Sequence, residues 1–346
     1  MSGTLAINVG SSSVRLTTFD GDARREQHLD GGVDAAVLAT IAEEPDVVAH
    51  RIVHGGPRLR ATTLIDDAVV AELGANVALA PLHLPRAIAW IEAARRRWPR
   101  ARHVGVFDNA LYAGLPAVAA TYALPREVRE RFGVVRYGFH GLAHQSMLRA
   151  LGPARPRVIS FQLGSGASAT ASRDGRAVDT TMGFSPLEGL VMATRPGDVD
   201  AGAIVHLLRA GLSVETIDRM LEHESGLRGL AGDGDMRALL ARADGEARLA
   251  VHVYVQRARK YLGAFLAVLG GCDAIAFGGG VGEHAPAIRA AILADFEWAG
   301  IVLDEAANAA AGDELRRIHA RASEVELFVT PVDEAAVMRD EANAVG

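Results

Sequence analysis

The segment LAINVGSSSVRLTTFDGD near the start of the chain returns in the middle as VISFQLGSGASATASRDGR. Aligned without gaps, Gly10 falls on Gly164, Ser11 on Ser165, Asp20 on Asp174 and Gly21 on Gly175, an offset of 154 residues (164 less 10) in a chain of 346. In both copies apolar residues alternate on either side of a Gly/Ser turn, and an Asp-Gly pair signals a further hairpin. Coincidences that fall on turn residues between strands point to a duplicated βββαβ-type domain. VVAHRIVHG, RHVGVFD, AIAFGGG and ELFVTP read as further strands. Helical spacing is expected over Ala87 to Trp98, Leu142 to Leu151, Ala201 to Ala210, Val214 to Glu222, Glu246 to Leu269 and Ala285 to Asp295, with a last helix after VDEA. Strands alternating with helices mean α/β, and one Gly-rich hairpin per half predicts two similar lobes with a cleft between them.

Composition removes several alternatives. Apolar residues make up 49% and charged ones 23%, enough for sizeable cores and against wholesale disorder. The 36 basic and 42 acidic residues leave a net charge of −6, which argues against a nucleic-acid partner. Only Lys260 is a lysine, and it lies in QRARKYLGAF, far from any Gly-rich phosphate loop. Walker-type NTPases and protein kinases need a phosphate-binding lysine in a set context, so phosphate chemistry here falls to arginine, histidine, backbone N–H groups and metal. The lone Cys272 permits no intrachain disulfide and no multi-cysteine zinc site. The opening MSGTLAINVG has no basic flank or long apolar stretch, and a reduced cytoplasm is the expected compartment. The run Tyr261 to Gly282 holds seven glycines and reads as helix, strand and loop, not as a membrane span.

Three Gly-rich segments and a set of polar residues carry the chemistry. The turns Asn8–Ser13 and Leu163–Ser168 offer backbone N–H groups and hydroxyls, which serve an anion or merely an ordinary polar hairpin. In AFGGGVGEHAPAIR a buried strand runs into glycines and then a helix with Pro286 in its first turn, a place where a nucleotide can approach backbone closely. Arg51 stands inside the apolar strand of HRIVHGG. Either it pairs with a structural carboxylate, or its forked donors hold a ligand anion. Arg195 precedes a Pro-Gly turn in MATRPGD and is either a solvated loop residue or an anion ligand. His140 and His144 stand four apart, compatible with metal ligation but with no HExxH and no third ligand. His140 reads as part of an exposed turn able to donate to an anion, and His83 sits in a similar way between prolines, though for either one taken alone packing is the more common use. Asp108 closes a strand at the position where α/β proteins face their ligand crevice. Glu334 begins the last helix, where the dipole alone would favour an acid. One carboxylate per lobe would suit Mg²⁺.

In chain order INVGSSS, HRIVHGG, APLH, VFD, RYGFHG, VDTTMGFSPLEGL, ATRPGD, GGGVGE and VDEA resemble the acetate kinase (acetate/propionate kinase) family of the acetokinase–sugar kinase–Hsp70–actin superfamily. The resemblance covers nearly the whole chain, and RYGFHG with GFSPLEGL is its most specific part. It implies a duplicated actin/hexokinase-like (ribonuclease H-like) α/β fold with an interdomain active-site cleft. The expected lobes are 1–147 plus 335–346 for acyl substrate and phosphate, and 148–334 for nucleotide. The implied activity is reversible transfer of the γ-phosphoryl group of ATP to acetate, or to propionate, with Mg²⁺ (or Mn²⁺), in a cytoplasmic homodimer with no membrane or nucleic-acid partner.

Residue by residue, the resemblance makes Arg51 and Arg195 the arginines that grip the acyl and phosphoryl groups, and His140 a transition-state stabiliser with His83 nearby. Asp108 is catalytic, and Asn8, Asp108 and Glu334 are metal-associated. Val53, Leu82, Phe139 and Pro186 match the acetate-methyl pocket. Asn8, Ser11, Ser13, Arg15, Gly164, Ser165 and Gly166 lie along the phosphates. Gly278, Gly279, Gly280, Val281, Gly282 and Glu283 match the adenosine loop. Gln162 and Ser165 depart from the usual histidine and asparagine of the second phosphate turn and bear on the choice of phosphoryl donor; Leu84, Asn109 and Leu142-Ala143 depart as well. The rival readings are a sugar kinase, which needs a polar pocket, and a non-catalytic nucleotide binder, which would leave Arg51, Asp108, His140, Arg195 and Glu334 unexplained.

Overall fold

A strand buried on both faces must be apolar at nearly every position, and β1 (Thr4–Val9) is buried throughout. The computed structural model describes residues 3–10, 13–21, 23–30, 35–41 and 44–345. β1 pairs antiparallel with β2 (Ser13–Asp20), which pairs antiparallel with β3 (Ala23–Asp30). On its other edge β1 runs parallel to β4 (Val47–Ile52), β4 runs parallel to β6 (Arg102–Phe107), and the short β5 (Thr63–Leu64) closes the edge antiparallel to β6. The sheet order is β3-β2-β1-β4-β6-β5.

The second sheet repeats this plan. β7 (Arg157–Leu163), β8 (Ala167–Arg173) and β9 (Arg176–Thr180) form the antiparallel meander, and β10 (Ala274–Gly278) lies parallel between β7 and β12 (Glu326–Val329). β11 (Arg316–Arg317) closes the edge, giving β11-β12-β10-β7-β8-β9. The duplication expected from the two Gly/Ser hairpins is therefore the topology of both halves. One detail differs. Asp174 and Gly175, both at positive φ, form the two-residue turn between β8 and β9. In the first copy Asp20, which matches Asp174, is still in β2 and pairs with Ala23. The second meander also has a register irregularity between Ala171 and Ser172.

The chain divides into two units: 1–113 with 139–146 and 333–346, and 114–138 with 147–332. Residues 114–138, expected in the first half, cluster with the second unit because Arg136 donates to the carbonyls of Thr180 and Met182, each at 3.2 Å. Glu334, expected at the end of the second lobe, falls in the first unit.

In the first unit the helix Leu84–Arg97 and the adjoining Trp98 cover one face of the sheet, burying Trp90, Ala94 and Trp98 against Leu5, Ile7, Val14 and Leu16. The other face takes the helix Glu334–Ala344 through Ala335, Val337, Met338 and Ala342. In the second unit the helix Gly245–Leu269 starts at Asp244, whose side chain accepts from Ala247 N at 3.0 Å, and stops at left-handed Gly270. It supplies the first part of the apolar run read earlier as helix, strand and loop, and among the described residues no helix is long and apolar enough to cross a membrane.

Two helices differ from expectation. The helix over Ala285–Asp295 is Pro286–Leu293, preceded by a separate short helix Gly279–His284 where the glycines read as a loop. The helix from Val214 changes at Met220 into a π-helical turn, Met220–Glu224.

The first sheet also buries two histidines on neighbouring strands. His50 Nε2 lies 3.2 Å from His103 Nδ1, and His103 Nε2 lies 3.0 Å from Trp98 O. A carbonyl can only accept, so His103 carries its proton on Nε2, accepts at Nδ1, and receives the Nε2 proton of His50. That assignment leaves His50 Nδ1 a buried acceptor with no hydrogen-bond partner among the described residues. Burial first, then its histidine neighbour and Arg95, hold His50 well below the usual histidine range; burial also lowers His103. Both are neutral when folded and free to protonate near pH ~6.5 when unfolded. Stability is thus lost as pH falls below about 6.5. Urea titrations across that range should show a shallower acid loss for His103→Gln than for the wild type; parallel pH profiles would remove the pair from the account.

Candidate active site

Three parallel strands of the first sheet end side by side, and each delivers one polar residue at its carboxyl end. Asn8 comes from β1, Arg51 from β4, and Asp108 follows β6. Arg51 Nη2 lies 2.7 Å from Asp108 Oδ2, and its Nε is 3.2 Å from both carboxylate oxygens. Nη1 donates to Asn8 Oδ1 at 3.0 Å, and Asn8 Nδ2 donates to Glu334 Oε2 at 2.7 Å. Glu334 Oε2 also lies 3.8 Å from Arg51 Nη1. The Asp108 side chain is only 1% exposed. Burial pushes its carboxyl up, against the pull of Arg51. Burial acts the same way on Glu334, but Arg51 and the Asn8 amide hold that carboxyl below its usual range. Arg51 itself, despite burial, is held firmly protonated by the two acids. With both carboxylates ionised, two negative charges face one positive charge, and the donors are hard oxygens.

The segment after Gly138 is tied to the same strand end. Gly141 N donates to Asp108 O at 2.9 Å, and a Cβ at Gly141 would collide with that carbonyl. His140 is forced to φ +58, a backbone state uncommon for a residue with a Cβ. It is half-buried, and its neighbours Tyr137 to Phe139 are buried, so this is not the exposed turn expected. His144 is fully buried in the helix Gly141–Leu151. Among the described residues no group of three or more His, Cys, Asp or Glu could hold a metal ion, which leaves the His140/His144 spacing helical.

Of the other expected residues in this unit, Val53 and Phe139 are buried, whereas Leu82 is 41% exposed. Tyr112 Oη donates to Phe139 O at 2.9 Å, and His54 meets the Phe139 ring edge-on at 5.6 Å between centroids. His54 is pushed down to about 4 by burial and then by Arg60. His83 is half-buried at the start of the helix Leu84–Arg97. Ser13 is half-buried; Arg15 pairs with Glu26 at 3.0 Å, while Ser11 lies outside the described residues.

In the second unit Arg195 forms an ion pair through Nε with Glu222 at 3.1 Å and donates from Nη1 to Pro186 O at 3.3 Å. Burial lowers its pKa and the Glu222 charge opposes this. Its loop is anchored by the long helix: Tyr261 Oη donates to Asp198 at 3.0 Å and Arg257 to Gly189 O at 3.1 Å. Arg136 Nη2 pairs with Glu188 at 2.7 Å, and Tyr122 also bonds that carboxylate, fixing the segment that carries Pro186.

The turn Gly164–Ser165–Gly166 is closed by Gly164 N donating to Gly166 O at 2.9 Å, with Ser165 exposed. Gly279 stands at φ +76, and a Cβ there would lie 2.8 Å from Gln162 Nε2 and from Leu163 O. Its N–H donates to Glu283 Oε1 at 2.9 Å. Gly278 and Gly282 are buried, and Gly280 is exposed beside half-buried Val281.

A model of the acetokinase family matches residues 37–340. The chain belongs to the acetokinase family. An acetate kinase of Streptomyces avermitilis is 42% identical over 95% of this chain and 86% of its own length. One from Sulfurovum sp. is 41% identical, over 86% of this chain and 78% of its own. Among solved structures, an acetate kinase of Porphyromonas gingivalis superposes with a TM-score of 0.90 at 30% identity, each chain covered to 100%. A propionate kinase of Francisella tularensis gives 0.90 at 29% identity, again with 100% of both chains covered.

The structure brings Asn8, Arg51, Asp108 and Glu334 into direct contact and hangs His140 beside them. Both carboxylates belong to one unit, not one to each lobe as expected. Sequence reading missed Glu222 altogether, since nothing in MLEHESG marks a partner for a residue 27 positions earlier (222 less 195). It also gave no role to Arg289, which is 1% exposed and donates to Gly282 O at 2.8 Å and Glu283 O at 3.0 Å behind the Gly-rich segment. A basic residue on the buried face of Pro286–Leu293 was the available signal.

Arg51→Ala would leave Asp108 and Glu334 buried together without their cation, raising the pKa of at least one above its unfolded value of about 4. A raised carboxyl gives stability that grows as pH falls. The stability deficit of Arg51→Ala relative to wild type should therefore shrink from about pH 8 to about pH 5.5 in urea titrations. A deficit that stayed constant would contradict this electrostatic account.

Proposed function

We propose that this chain is an acetate kinase, transferring the γ-phosphoryl group of ATP reversibly to acetate to give acetyl phosphate and ADP. The carrying observation is the buried contact of Arg51 with Asp108, Asn8 and Glu334 at adjoining strand ends, in a chain of the acetokinase family. An acetate oxygen attacks the γ-phosphorus, a P–O bond forms, and the bond to the ADP oxygen breaks with its electron pair passing to ADP. Acetate is already ionised at neutral pH, so no side chain has to remove a proton. The barrier is the approach of two anions, and cationic donors lower it. Arg51 is held by Asp108 in one orientation and offers its charge to the reacting oxygens. Arg195 offers a second guanidinium, and half-buried His140 a hydrogen bond to the transferring group.

Mg²⁺ (or Mn²⁺) fits the donor set: Asn8, Asp108 and Glu334 present hard oxygens and a surplus negative charge. Bound there with nucleotide, the ion would neutralise phosphate oxygens. Ser13 and Arg15, with Ser11, border the first phosphate turn; Gly164, Ser165 and Gly166 form the second. Gly278 to Glu283 is the segment for adenosine, with exposed Gly280 leaving backbone free of a side chain.

Val53 and Phe139 are the apolar wall for the acyl methyl. Propionate is the second reading, favoured by the similarity to the Francisella propionate kinase. One methylene is worth about 1–3 kcal/mol, so propionate is a slower substrate, not an excluded one. A cytoplasmic location accords with a single, buried cysteine. A homodimer is supported by the helix Ala201–Arg209, which is amphipathic yet has no buried residue; Val205 and Leu208 on it are 42% and 41% exposed, and Val214 beyond it 67%.

A hydroxamate assay with ATP, Mg²⁺ and acetate should detect acetyl phosphate, and Arg51→Ala or Arg195→Ala should lower kcat by roughly 10³-fold. Near-normal turnover in either variant would defeat its assignment, and butyrate turned over as fast as acetate would defeat the apolar wall. Light scattering of Val205→Asp/Leu208→Asp should give the monomer mass where the wild type gives the dimer; an unchanged dimer mass would place the interface elsewhere.

A further inference from the structure

Arg195 is oriented by a residue that no motif marks. Its guanidinium has five N–H donors in a rigid fork. Nε faces Glu222 Oε2 at 3.1 Å, and Nη1 donates to Pro186 O at 3.3 Å with Met192 Sδ at 3.7 Å. Nη2 has no protein partner among the described residues. The guanidinium is therefore held at Nε and at Nη1, which leaves the Nη2 donors for an anion.

Glu222 is itself built in. It lies in the π-helical turn Met220–Glu224, a rare form whose extra residue per turn re-aims side chains and recurs at functional sites. Its main-chain oxygen accepts from Thr194 Oγ1 at 2.7 Å, so the residue next to Arg195 grips the same turn. Ser225 N donates to Thr194 O at 2.9 Å, and Ser225 Oγ to Met220 O at 2.7 Å. Three hydrogen bonds thus fix the backbone of the turn and of the Arg195 loop. The Arg195 and Glu222 side chains are each 19% exposed. An ion pair so far from water is costly to form, and a stabilising role alone would be met as well by two apolar residues.

We propose that Glu222 is a positioning residue for Arg195, holding its Nε so that Nη2 is presented to the phosphoryl or carboxylate oxygens of the substrates. This rests on the role proposed above for Arg195. Glu222 touches no substrate and takes part in no bond change.

The test is steady-state kinetics of Glu222→Ala, Glu222→Gln, Arg195→Ala and the Glu222→Ala/Arg195→Ala pair, each with a thermal melt. Glu222→Ala should lower kcat about tenfold, a change in line with couplings between contacting residues, while KM for acetate and for ATP moves less. Glu222→Gln, which keeps the shape without the charge, should fall between Glu222→Ala and the wild type. In the Arg195→Ala background the loss of Glu222 should have no further effect on the residual rate.

Wild-type kcat in a folded Glu222→Ala enzyme, with Arg195→Ala inactive, overturns the positioning role and leaves the acetate kinase reading standing. An equal loss from Glu222→Ala in the Arg195→Ala background overturns it too, since Glu222 would then act independently. Full activity of Arg195→Ala removes the assignment of Arg195 and this inference with it. Where Glu222→Ala fails to fold, Glu222→Gln decides by the same comparisons.

Discussion

Arg51 leaves β4 with a full positive charge in a strand whose neighbours are apolar, and the surrounding residues answer to that charge. Its side chain is 14% exposed, so water cannot solvate it, and Asp108, Asn8 and Glu334 do so instead. These four residues come from three strand ends and the first turn of the helix Glu334–Ala344. A purely structural salt bridge needs one acid, and a buried pair alone is poor evidence of stability. Here a second acid and an amide are added, so the acids outnumber the cation. Such an arrangement is a poor way to stabilise a core and a suitable way to handle phosphate oxygens and the cations that accompany them.

The duplication shows the same framework used in two ways. By the gapless offset Asn8 corresponds to Gln162 (8 plus 154), and both stand near the end of the first strand of their sheet. In register, Ile7 pairs with His50, which places Arg51 beside Asn8; in the other sheet Gly278 pairs with Gln162. Arg51 and Gly278 thus hold equivalent positions. One half fills the strand end with a guanidinium and its acids. The other places buried Gly278 and Gly279 there, and Val332, Met147, Gln162 and Leu163 pack into the space a Cβ would take. One strand end neutralises a buried charge; the other lets neighbouring protein atoms pack close to the main chain.

Most of the framework was legible in the sequence because its signals are local. Gly/Ser turns between alternating strands gave both meanders, and apolar runs gave the parallel strands between them. The polar contacts were legible only in part. Arg51 in an apolar strand demanded a partner, but the identity of that partner depends on which strands lie side by side, and adjacency is not written in spacing. The two carboxylates were expected apart because Glu334 lies late in the chain, whereas its helix returns to the first sheet. Gly279 to Gly282 read as a loop because glycine disfavours helix, yet the short segment is helical, its first N–H held by Glu283. The π-helical turn at Met220 has no sequence signature, so Glu222 could not be assigned to Arg195.

The helix Glu334–Ala344 covers one face of the first sheet and carries the acid that completes the Arg51 contact. Asn8 and Glu334, joined by a hydrogen bond, are 326 positions apart. In chain order both meanders lie between β1 and its covering helix, or begin with β1 itself, so during synthesis the helix emerges only after both have been made. Ala6, Val47, Ala49, Val104 and Val106 pack in the same core as that helix, so before it is made they lack its cover. The N-terminal unit must therefore finish folding after translation has passed the C-terminal one, a delay in which chaperones have an apolar face to hold.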